Sequence, residues 1–351
     1  MTLSGLHTFT SYGRGAGSAR VRVFDWIDRL ASPVTSHSYL GDSSNSISRM
    51  ARKPLGVIGA EIELRQAAAR RRRATLISRQ ASPFSNGAIE RELLKSSDWG
   101  VYDFDDALML PPTAPQSKLW SKQKVWQSSV SAADKVIAGN AFLAERASDL
   151  NSNVTLIPSC VAPETYLVKQ GFEISDVPKA VWIGSPSTER YLALVSDALL
   201  ELHRTTGLRL TVVSAGNASL GAIEPMADRR DWTPTSFASD LMDADFGIMP
   251  LADTEWERGK CAYKLLQYGA TALPMIGSPV GANAQFLADA QGFAPTTPSD
   301  WVDAMSELLS ESVTRRAIRS ASARKTVIEK FSFDAWSFEW RSAVGLSDPR
   351  Q

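Results

Sequence analysis

Strand-like and helix-like segments alternate through the second half of the chain, with short loops between them. The apolar runs VWIGS, LRLTVVSAG, FGIMPL and LPMIGS are typical of strands, and GFAP is a further short candidate. After the first run, Leu192, Val195, Leu199 and Leu202 recur at helical spacing. Because parallel neighbours need a crossover connection, this alternation predicts a parallel sheet covered by helices on both faces.

Helices are expected between and after these strands. We predict them over 188–205, 237–244, 261–271, 284–290, 301–309, 313–330 and 333–344. The last of them carries Trp336, Phe338 and Trp340, more aromatic surface than a solvent-facing helix needs. It either caps the C-terminal domain or crosses back to the first domain.

The first half shows a weaker form of the same alternation. LHTFTS, ATLISRQ, WGVYDF, KVIAGN and VTLIPS are predicted strands, with helices over 19–30, 89–94, 118–130 and 142–147. The stretch 162–180 contains Pro163, Gly171 and Pro178 and has the composition of a linker. We therefore predict domains at 1–170 and 171–330, followed by a terminal helix at 331–351.

The composition is that of an ordinary globular protein of two domains. Of 351 residues, 44% are apolar, and 38 basic side chains balance 38 acidic ones. This composition argues against a disordered chain and against a dedicated nucleic-acid binder, which is usually basic. No apolar run resembles a membrane span or a secretory signal, and the two cysteines, Cys160 and Cys261, suggest no disulfide framework. The expected location is the cytoplasm.

The zero net charge hides a difference between the two halves. Residues 1–175 carry 21 basic and 16 acidic side chains, which leaves 17 basic and 22 acidic ones in the remainder. Four arginines stand together at Arg70, Arg71, Arg72 and Arg73. They form either a basic surface that meets an anionic membrane or lipid-phosphate acceptor, or a solvated helix face that runs into a strand.

A glycine-rich loop follows the first predicted strand. It runs from Gly13 to Ser18 and approaches the dinucleotide pattern GxGxxG, but Ser18 replaces the third glycine and no acidic residue ends a second strand at the right distance. The loop is a ligand-facing turn, a plain tight turn or, as the weakest alternative, a nicotinamide dinucleotide site.

Three carboxylates crowd the end of the strand WGVYDF. Asp103, Asp105 and Asp106 lie where open α/β sheets bind ligands. Crowded carboxylates repel one another, so a cation or a basic ligand would relieve them. The alternatives are lining of a site, helix capping and, with no companion ligands in view, a metal site.

Cations gather around a predicted helix start after the strand FGIMPL. Arg258, Lys260 and Lys264 lie where the helix dipole is positive, and the last two are four residues apart, which would place them on one helical face. Such cations cost stability unless an anion binds, which favours a phosphate-bearing ligand over a solvated basic face. The turns at Gly184-Ser185 and 277–281 follow neighbouring strands and point the same way.

Two long segments resemble the GT-B glycosyltransferases, particularly the retaining enzymes of glycosyltransferase family 4. They are VIAGNAFLAERASDLNSNVTLIPSCVAPET, residues 136–165, and DADFGIMPLADTEWERGKCAYKLLQYGATALPMIGSPVGAN, residues 243–283. The resemblance implies two Rossmann-like domains facing a cleft, with acceptor bound mainly by the first and donor by the second. It also implies a last helix that crosses back to the first domain.

The resemblance also carries site residues, position by position. Asp103, Asp105 and Asp106 match an acidic patch at the acceptor side and are the expected catalytic residues, with Asp105 orienting or deprotonating the acceptor hydroxyl. Gly17, Ser18 and Arg20 match a loop facing donor phosphate or acceptor. The implied donor-binding residues are Gly184, Ser185, Trp232, Thr233, Asp253, Glu257, Arg258, Gly259, Lys260, Lys264, Gln267 and Gly281. The family often has two glutamates where this chain has Gly259 and Gln267, so the sugar contact is expected from Asp253 or Glu257.

The expected activity is transfer of a sugar, with retention, from a nucleoside diphosphate sugar to a hydroxyl of a carbohydrate or lipid-linked acceptor. No metal or cofactor is expected, because fixed cations and a helix N-terminus can carry the leaving-group charge. Expected partners are the donor, the acceptor and a peripheral membrane contact, with no nucleic acid. The alternatives are a nucleotide-sugar epimerase or phosphorylase, a catalytically weak sugar-nucleotide-binding protein and, more distantly, a dehydrogenase.

Overall fold

Two units divide the chain, each built on its own parallel sheet. The computed structural model describes residues 5–30, 33–42, 45–111, 119–233 and 236–346. Unit 1 comprises Met1–Ser159, Gly259–Cys261 and Trp336–Gln351, and unit 2 comprises Cys160–Arg258 and Ala262–Ala335. Lys118, where we expected a helix to begin, lies outside the described residues.

Six parallel strands form the sheet of unit 1. They are β1 (Leu6–Thr10), β2 (Val34–Ser38), β3 (Arg72–Ser78), β4 (Ser97–Phe104), β5 (Lys135–Ala138) and β6 (Val154–Leu156). Their order is β2-β1-β3-β4-β5-β6, and Leu6 pairs with Val34 on one side and Ala74 on the other. Most residues of the central strands β3 and β4 are buried, as expected for a parallel sheet covered on both faces.

The helices of unit 1 pack around this sheet. They are α1 (Gly17–Ala19) and α2 (Asp25–Ile27), joined by a π-helical turn (Arg20–Phe24), then α3 (Ile47–Ala51), α4 (Pro54–Ala68), α5 (Ala88–Lys95), α6 (Lys122–Ala132) and α7 (Ala141–Ser148). The sequence indicated the first helix, α5, α6 and α7, but gave no indication of β2, α3 or α4. Asn140 caps α7 through a hydrogen bond from the Leu143 N–H to its side chain.

Unit 2 has a five-stranded parallel sheet. Its strands are β7 (Lys179–Ile183), β8 (Arg209–Val213), β9 (Ala227–Arg230), β10 (Phe246–Met249) and β11 (Met275–Gly277), in the order β11-β10-β7-β8-β9. The predicted strand GFAP contributes only an isolated bridge from Phe293 to Ile276. The edge strand β9 was not predicted.

Helices follow each strand of unit 2 except β8. They are α8 (Ser196–Thr206), α9 (Phe237–Met242), α10 (Glu255–Arg258), α11 (Tyr263–Ala270), α12 (Ala282–Asp289), α13 (Pro298–Ser310) and α14 (Val313–Lys330). Short 3₁₀ helices cover Pro163–Thr165, Pro186–Val195 and Gly221–Met226. The helix expected at 261–271 begins later, at Tyr263, because Ala262 has a left-handed φ of 55°.

Tyr268 fixes helix α11 on the sheet of unit 2. Its ring lies where a side chain on Gly247 would be, with the Tyr268 ring only 2.6 Å from an ideal Cβ at that position. The Tyr268 hydroxyl donates to the Ile248 carbonyl over 3.0 Å and accepts the Ile183 N–H over 3.2 Å. Because these bonds reach both β10 and β7, they hold α11 at a defined place on the sheet.

The last described helix, α15 (Ser337–Ala343), belongs to unit 1 although it follows the whole of unit 2. Trp340 stacks on Trp26 with ring centroids 5.0 Å apart, and both rings are buried. The Trp99 indole N–H donates to the Ala343 carbonyl over 2.9 Å. The prediction of a crossing helix is therefore confirmed, and the alternative of a cap on the second domain is wrong.

Candidate functional site

Each sheet has a point at which the strand order reverses. In unit 1 the chain begins at β1, places β2 on one side and β3 on the other; in unit 2 it begins at β7 and places β8 on one side and β10 on the other. Ligands of open α/β sheets bind beside the carboxyl ends of the strands at such switch points. The loops that follow β1, β3, β7 and β10 are therefore the expected ligand-binding segments.

In unit 2 the loops after three adjacent strands converge. Gly184 follows β7, and an ideal Cβ on it would lie 2.7 Å from Cε of Lys264. Gly281 follows β11 with φ of +57°, and an ideal Cβ there would lie 2.5 Å from the Arg258 carbonyl oxygen. A side chain at Gly184 would clash with the Trp182 and Lys264 side chains, and one at Gly281 would clash with the Arg258 backbone. The predicted residues are thus brought together in two pairs, Gly184 with Lys264 and Gly281 with Arg258.

Lys264 lies in the first turn of α11, with its ammonium 5.3 Å from the centre of the Trp182 ring at the end of β7. The helix begins after Ala262, whose methyl side chain offers no oxygen to cap the first N–H groups. A negatively charged ligand is favoured here by three features: the N-terminus of α11, the Lys264 ammonium and the Gly184-Ser185 turn.

Two details of the predicted cation cluster are wrong. Lys260 precedes α11 and is grouped with unit 1, so it does not share a helical face with Lys264. Arg258 ends α10, where the helix dipole favours a cation. Its guanidinium binds Asp253 through two hydrogen bonds of 2.6 and 3.1 Å, and this contact lowers the pKa of the Asp253 carboxyl.

A cavity of about 410 Å³ opens between the segments that follow β7 and β10. It is lined by Arg190, Tyr191, Leu194, Ala252, Thr254, Trp256 and Glu257. The Glu257 carboxylate is 4% exposed and accepts hydrogen bonds from the hydroxyls of Tyr191 and Thr254. Burial and the bond to Glu257 raise the pKa of Tyr191, which keeps that hydroxyl protonated as a donor.

The remaining predicted donor-binding residues of unit 2 lie at varied depths. Trp232 follows β9 and stacks on Phe237 at 6.0 Å, and the hydroxyl of Thr233 lies 2.6 Å from that of Ser236. Gln267 is 6% exposed within α11. Ser185 stands at the N-terminus of the 3₁₀ helix Pro186–Val195, with its hydroxyl 3.1 Å from that of Ser187.

At the switch point of unit 1, the side chains form matched acidic and basic pairs. The Ser18 hydroxyl lies 2.7 and 2.8 Å from the two carboxylate oxygens of Asp105. Arg79, directly after β3, contacts Asp105 at 3.4 Å and Asp106 at 2.8 Å. Burial opposes the charge of Arg79, but the two carboxylates outweigh it and raise the pKa of the guanidinium. Lys260 lies 3.8 Å from Asp106.

Asp103 is held away from solvent by Arg22. Both side chains are 1% exposed, and two nitrogens of the Arg22 guanidinium donate to Asp103, the shorter bond being 2.5 Å. Ser78 donates to the same carboxylate over 3.1 Å, and Arg22 also donates to the Ile157 carbonyl over 2.9 Å. These contacts favour a structural role for Asp103, which ties the end of β4 to the first helix.

In the glycine loop after β1, some residues are closely packed and others have open space beside them. An ideal Cβ on Gly17 would have nothing within 4 Å, whereas one on Gly13 would lie 2.0 Å from the Gly41 carbonyl oxygen. Gly13 is therefore a packing glycine, and Gly17 opens the helix that carries Ser18. Arg20 lies 3.9 Å from Asp25 in the π-helical turn.

Gly259 replaces one of the two glutamates that the resemblance leads us to expect, and it is packed closely within unit 1. An ideal Cβ at this position would lie 2.7 Å from the Ala107 Cβ and 2.8 Å from the Ala107 nitrogen. A glutamate would therefore not fit without movement of the backbone.

In the run of four arginines, one side chain is buried and three are exposed. Arg72 is buried and donates to the Leu93 carbonyl and the Ser96 hydroxyl, whereas Arg70, Arg71 and Arg73 are exposed. The run thus begins just after α4 and enters β3, so its exposed arginines lie in the connecting turn and the strand and not on a helix face.

Sequence reasoning missed Arg79, Arg22, Trp182 and Tyr191. Arg79 could have been found by the rule that singled out the aspartates, because it directly follows the strand ATLIS. Within the part of the chain that the structure describes, no three His, Cys, Asp or Glu side chains are grouped as ligands of a metal ion.

Comparison with known proteins shows the fold. No family model and no curated protein matches the chain. Anabaena HepE, solved with UDP and glucose, has a TM-score of 0.67 at 11% identity, covering 97% of this chain and 98% of its own. WaaG, a glycosyltransferase involved in lipopolysaccharide biosynthesis, has a TM-score of 0.63 at 14% identity, covering 96% of this chain and 98% of its own.

A third similar structure is a much longer protein. It is a TarM variant from S. aureus, in complex with Fondaparinux, alpha-GlcNAc-glycerol and UDP. The TM-score is 0.58 at 10% identity, over 77% of this chain and 55% of TarM, so the chain spans about half of TarM's length. Together these matches show the predicted GT-B architecture, with two Rossmann-like α/β units.

Proposed function

We propose that this protein is a glycosyltransferase that moves a sugar, with retention, from a nucleoside diphosphate sugar to a hydroxyl acceptor. The observation that carries the proposal is the convergence of Gly184, Lys264 and the start of α11 at the switch point of unit 2. The proposal is supported by the UDP and glucose bound to HepE, and by the Fondaparinux, alpha-GlcNAc-glycerol and UDP bound to the TarM variant.

The leaving group is the nucleoside diphosphate. As the bond from the anomeric carbon to the phosphate oxygen breaks, negative charge grows on the diphosphate. The Lys264 ammonium and the first N–H groups of α11 are fixed in place before the reaction and stabilise that charge without reorganisation. In this proposal the reaction needs no metal ion, and EDTA would leave the rate of transfer unchanged.

The cavity beside Glu257 is the proposed place for the sugar. Glu257 presents a carboxylate in its wall, and the Arg190 guanidinium lies 3.8 Å from it. Asp253 follows β10, as Glu257 does. Its side chain is 60% exposed and pairs with Arg258. These acidic groups can accept hydrogen bonds from sugar hydroxyls, which is the task that Gly259 has no side chain to perform.

Asp105 is the proposed acceptor-side group. Its carboxylate contacts the Ser18 hydroxyl and lies at the switch point of unit 1, where an acceptor hydroxyl can donate a hydrogen bond to it. Arg79 and Asp106 hold its position. We assign Asp103 to the support of this arrangement.

A second candidate function is a sugar-nucleotide-binding protein without catalysis. It is favoured by Gly259, where close packing on Ala107 excludes a glutamate, and by Gln267 in the other glutamate position. Slow hydrolysis of the donor in the absence of acceptor would contradict this alternative. Nucleotide binding without hydrolysis or transfer would favour it.

Thermal unfolding in the presence of UDP, GDP, ADP and TDP tests the donor site. A nucleotide at about 100 times its Kd should raise the free energy of unfolding by about 2.7 kcal/mol. The corresponding nucleoside at equal concentration is the control, because it lacks the charge that α11 and Lys264 are proposed to bind. If none of the four diphosphates raises the unfolding midpoint, the donor site is wrong.

A further inference from the structure

Helix α4 (Pro54–Ala68) is apolar on both of its sides. Its inner side packs on unit 1 through Ala60 and Leu64, which are 8% and 5% exposed. Glu61 also faces inward, where it accepts hydrogen bonds from the Tyr39 hydroxyl over 2.8 Å and the Ser82 hydroxyl over 2.6 Å. The orientation of the helix is therefore fixed by contacts with unit 1.

The opposite side of α4 exposes three large aliphatic residues. Leu55 is 82% exposed, Ile58 is 55% exposed and Ile62 is 49% exposed. Their spacings of three and four residues place them in one stripe along the helix, on a side that is polar in an ordinary surface helix. A contiguous exposed stripe of this kind marks a surface that meets an apolar partner.

Basic side chains lie at both ends of this stripe. Exposed basic residues precede the N-terminus of α4, namely Arg49, Arg52 and Lys53. Others lie in its last turn or follow its C-terminus, namely Arg65, Arg70, Arg71 and Arg73. Two are paired within unit 1, Lys53 with Asp42 at 3.0 Å and Arg71 with Asp98 at 2.8 Å. The acidic residues of the helix are engaged as well, since Glu61 bonds inward and Glu63 lies 2.8 Å from His37.

We propose that α4 docks unit 1 onto the surface of a bilayer that contains anionic lipids. Leu55, Ile58 and Ile62 enter the boundary between headgroups and acyl chains, and the flanking arginines contact lipid phosphates. An apolar stripe and a polybasic border are two separate signals, and stable peripheral binding generally needs two. This surface is distinct from the residues of the proposed transferase site.

The binding is peripheral. Among the residues that the structure describes, no helix has the length and hydrophobicity to cross a membrane. Helix α4 has 15 residues, which corresponds to about 22 Å of helix, too short to span a hydrocarbon core of about 30 Å. Its inner side is also committed to unit 1, so the helix lies in the plane of the bilayer surface.

Sedimentation with large unilamellar vesicles tests the proposal with the full chain. Vesicles of phosphatidylcholine containing about a third phosphatidylglycerol should bind it at least tenfold more strongly than pure phosphatidylcholine vesicles. The triple variant Leu55→Ser, Ile58→Ser and Ile62→Ser should bind the anionic vesicles about 100-fold more weakly. Replacing Arg49, Arg52 and Arg65 by Gln should also weaken this binding about 100-fold.

A matched control is available on α14 in unit 2. Val313, Ile318 and Ile328 are 41%, 54% and 46% exposed, and their replacement by Ser should leave vesicle binding unchanged. All variants should keep the thermal unfolding midpoint of the unchanged protein, because the replaced side chains are on the surface. This second measurement separates loss of binding from loss of folding.

Three results would overturn the proposal. The unchanged protein could fail to bind anionic vesicles, or the α4 Ser variant could bind as strongly as the α14 Ser control. Sedimentation velocity without lipid is the third: if the unchanged protein is a dimer that the α4 Ser variant converts to monomer, the stripe is a surface between copies of this chain.

Discussion

The two switch points of the molecule are built from different chemistry. In unit 1, the carboxylates of Asp105 and Asp106 lie against two cations, Arg79 and Lys260, and against the Ser18 hydroxyl. In unit 2, the corresponding place has glycines, a serine, a helix start and Lys264 above an indole ring. The first arrangement is already neutralised and suits an uncharged hydroxyl, whereas the second suits an anion.

Two ion pairs, one from each unit, differ in their exposure to solvent. Arg22 and Asp103 are each 1% exposed, whereas the Arg258 and Asp253 side chains are 48% and 60% exposed. Removing one partner of a buried pair leaves an uncompensated charge, but an exposed pair is easily replaced by water or by a ligand. The comparison teaches that the buried Arg22–Asp103 pair holds structure and that the exposed Arg258–Asp253 pair can exchange partners.

The largest expected effect follows from the buried pair. Arg22→Met should lower the free energy of unfolding by about 3–5 kcal/mol, because Asp103 is left charged and buried. Chemical denaturation measures it, with Arg258→Met as the control from the exposed pair, which should change stability much less. Pairing Arg22→Met with Asp103→Leu should recover part of the loss. Equal effects of the Arg22 and Arg258 variants would break the comparison.

The anion site of unit 2 gives the next largest effect. Lys264→Met should reduce kcat about 100-fold or more, since it removes one fixed charge at the leaving group. Steady-state release of the nucleoside diphosphate measures this, and Lys325→Met is the control because Lys325 is an exposed lysine on α14. Partial rescue by Lys264→Arg would support a role through charge. A Lys264→Met enzyme with unchanged kcat would contradict the assignment.

Asp105 tests the acceptor side. Asp105→Asn should reduce transfer about 100-fold, because the amide has no proton-accepting charge, while the stabilisation by the bound nucleoside diphosphate stays unchanged. Asp98→Asn is the control, since Asp98 is a surface residue of unit 1 that pairs with Arg71. If Asp105→Asn transfers the sugar as fast as this control, the proposed role of Asp105 is wrong.

The smallest effect concerns pH. Burial, then the nearby His37 and Arg72, lower the pKa of His7 from 6.5. Because the folded pKa is the lower one, stability from neutral His7 is present above pH 6.5 and is lost as the pH falls through the folded value. His7→Gln should therefore show a smaller drop in unfolding midpoint between about pH 7.5 and about pH 5.5. An unchanged drop would exclude His7 as the source.

Much of the fold was predictable from hydrophobic pattern. Central strands such as β4 and β10 are buried on both faces and appear in the sequence as WGVYDF and FGIMPL. Edge strands bury less surface, so β2, with the sequence VTSHS, and β9, with the sequence ADRR, carry no apolar run to detect. Helix α4 was missed for the opposite reason, because its apolar residues lie on both sides and obscure the helical period.

The candidate site was only partly predictable. Asp105, Gly184 and Lys264 lie at strand ends, where the general rule for open sheets places ligands. The break at Ala262 was not predictable from propensity, because alanine is an unusual residue for a left-handed φ of 55°. That single backbone conformation separates Lys260 from α11 and thereby overturned the expected pairing with Lys264.

The stacking of Trp340 on Trp26 has a consequence for synthesis on the ribosome. Trp340 is synthesised after all of unit 2, so Trp26 and Trp99 lack their packing partners until unit 2 has been translated. Domains generally fold in the order of their synthesis, but here unit 2 can complete its packing before unit 1 does. Until then, the partly built first unit exposes an indole surface that a chaperone, or a premature encounter with another chain, could cover.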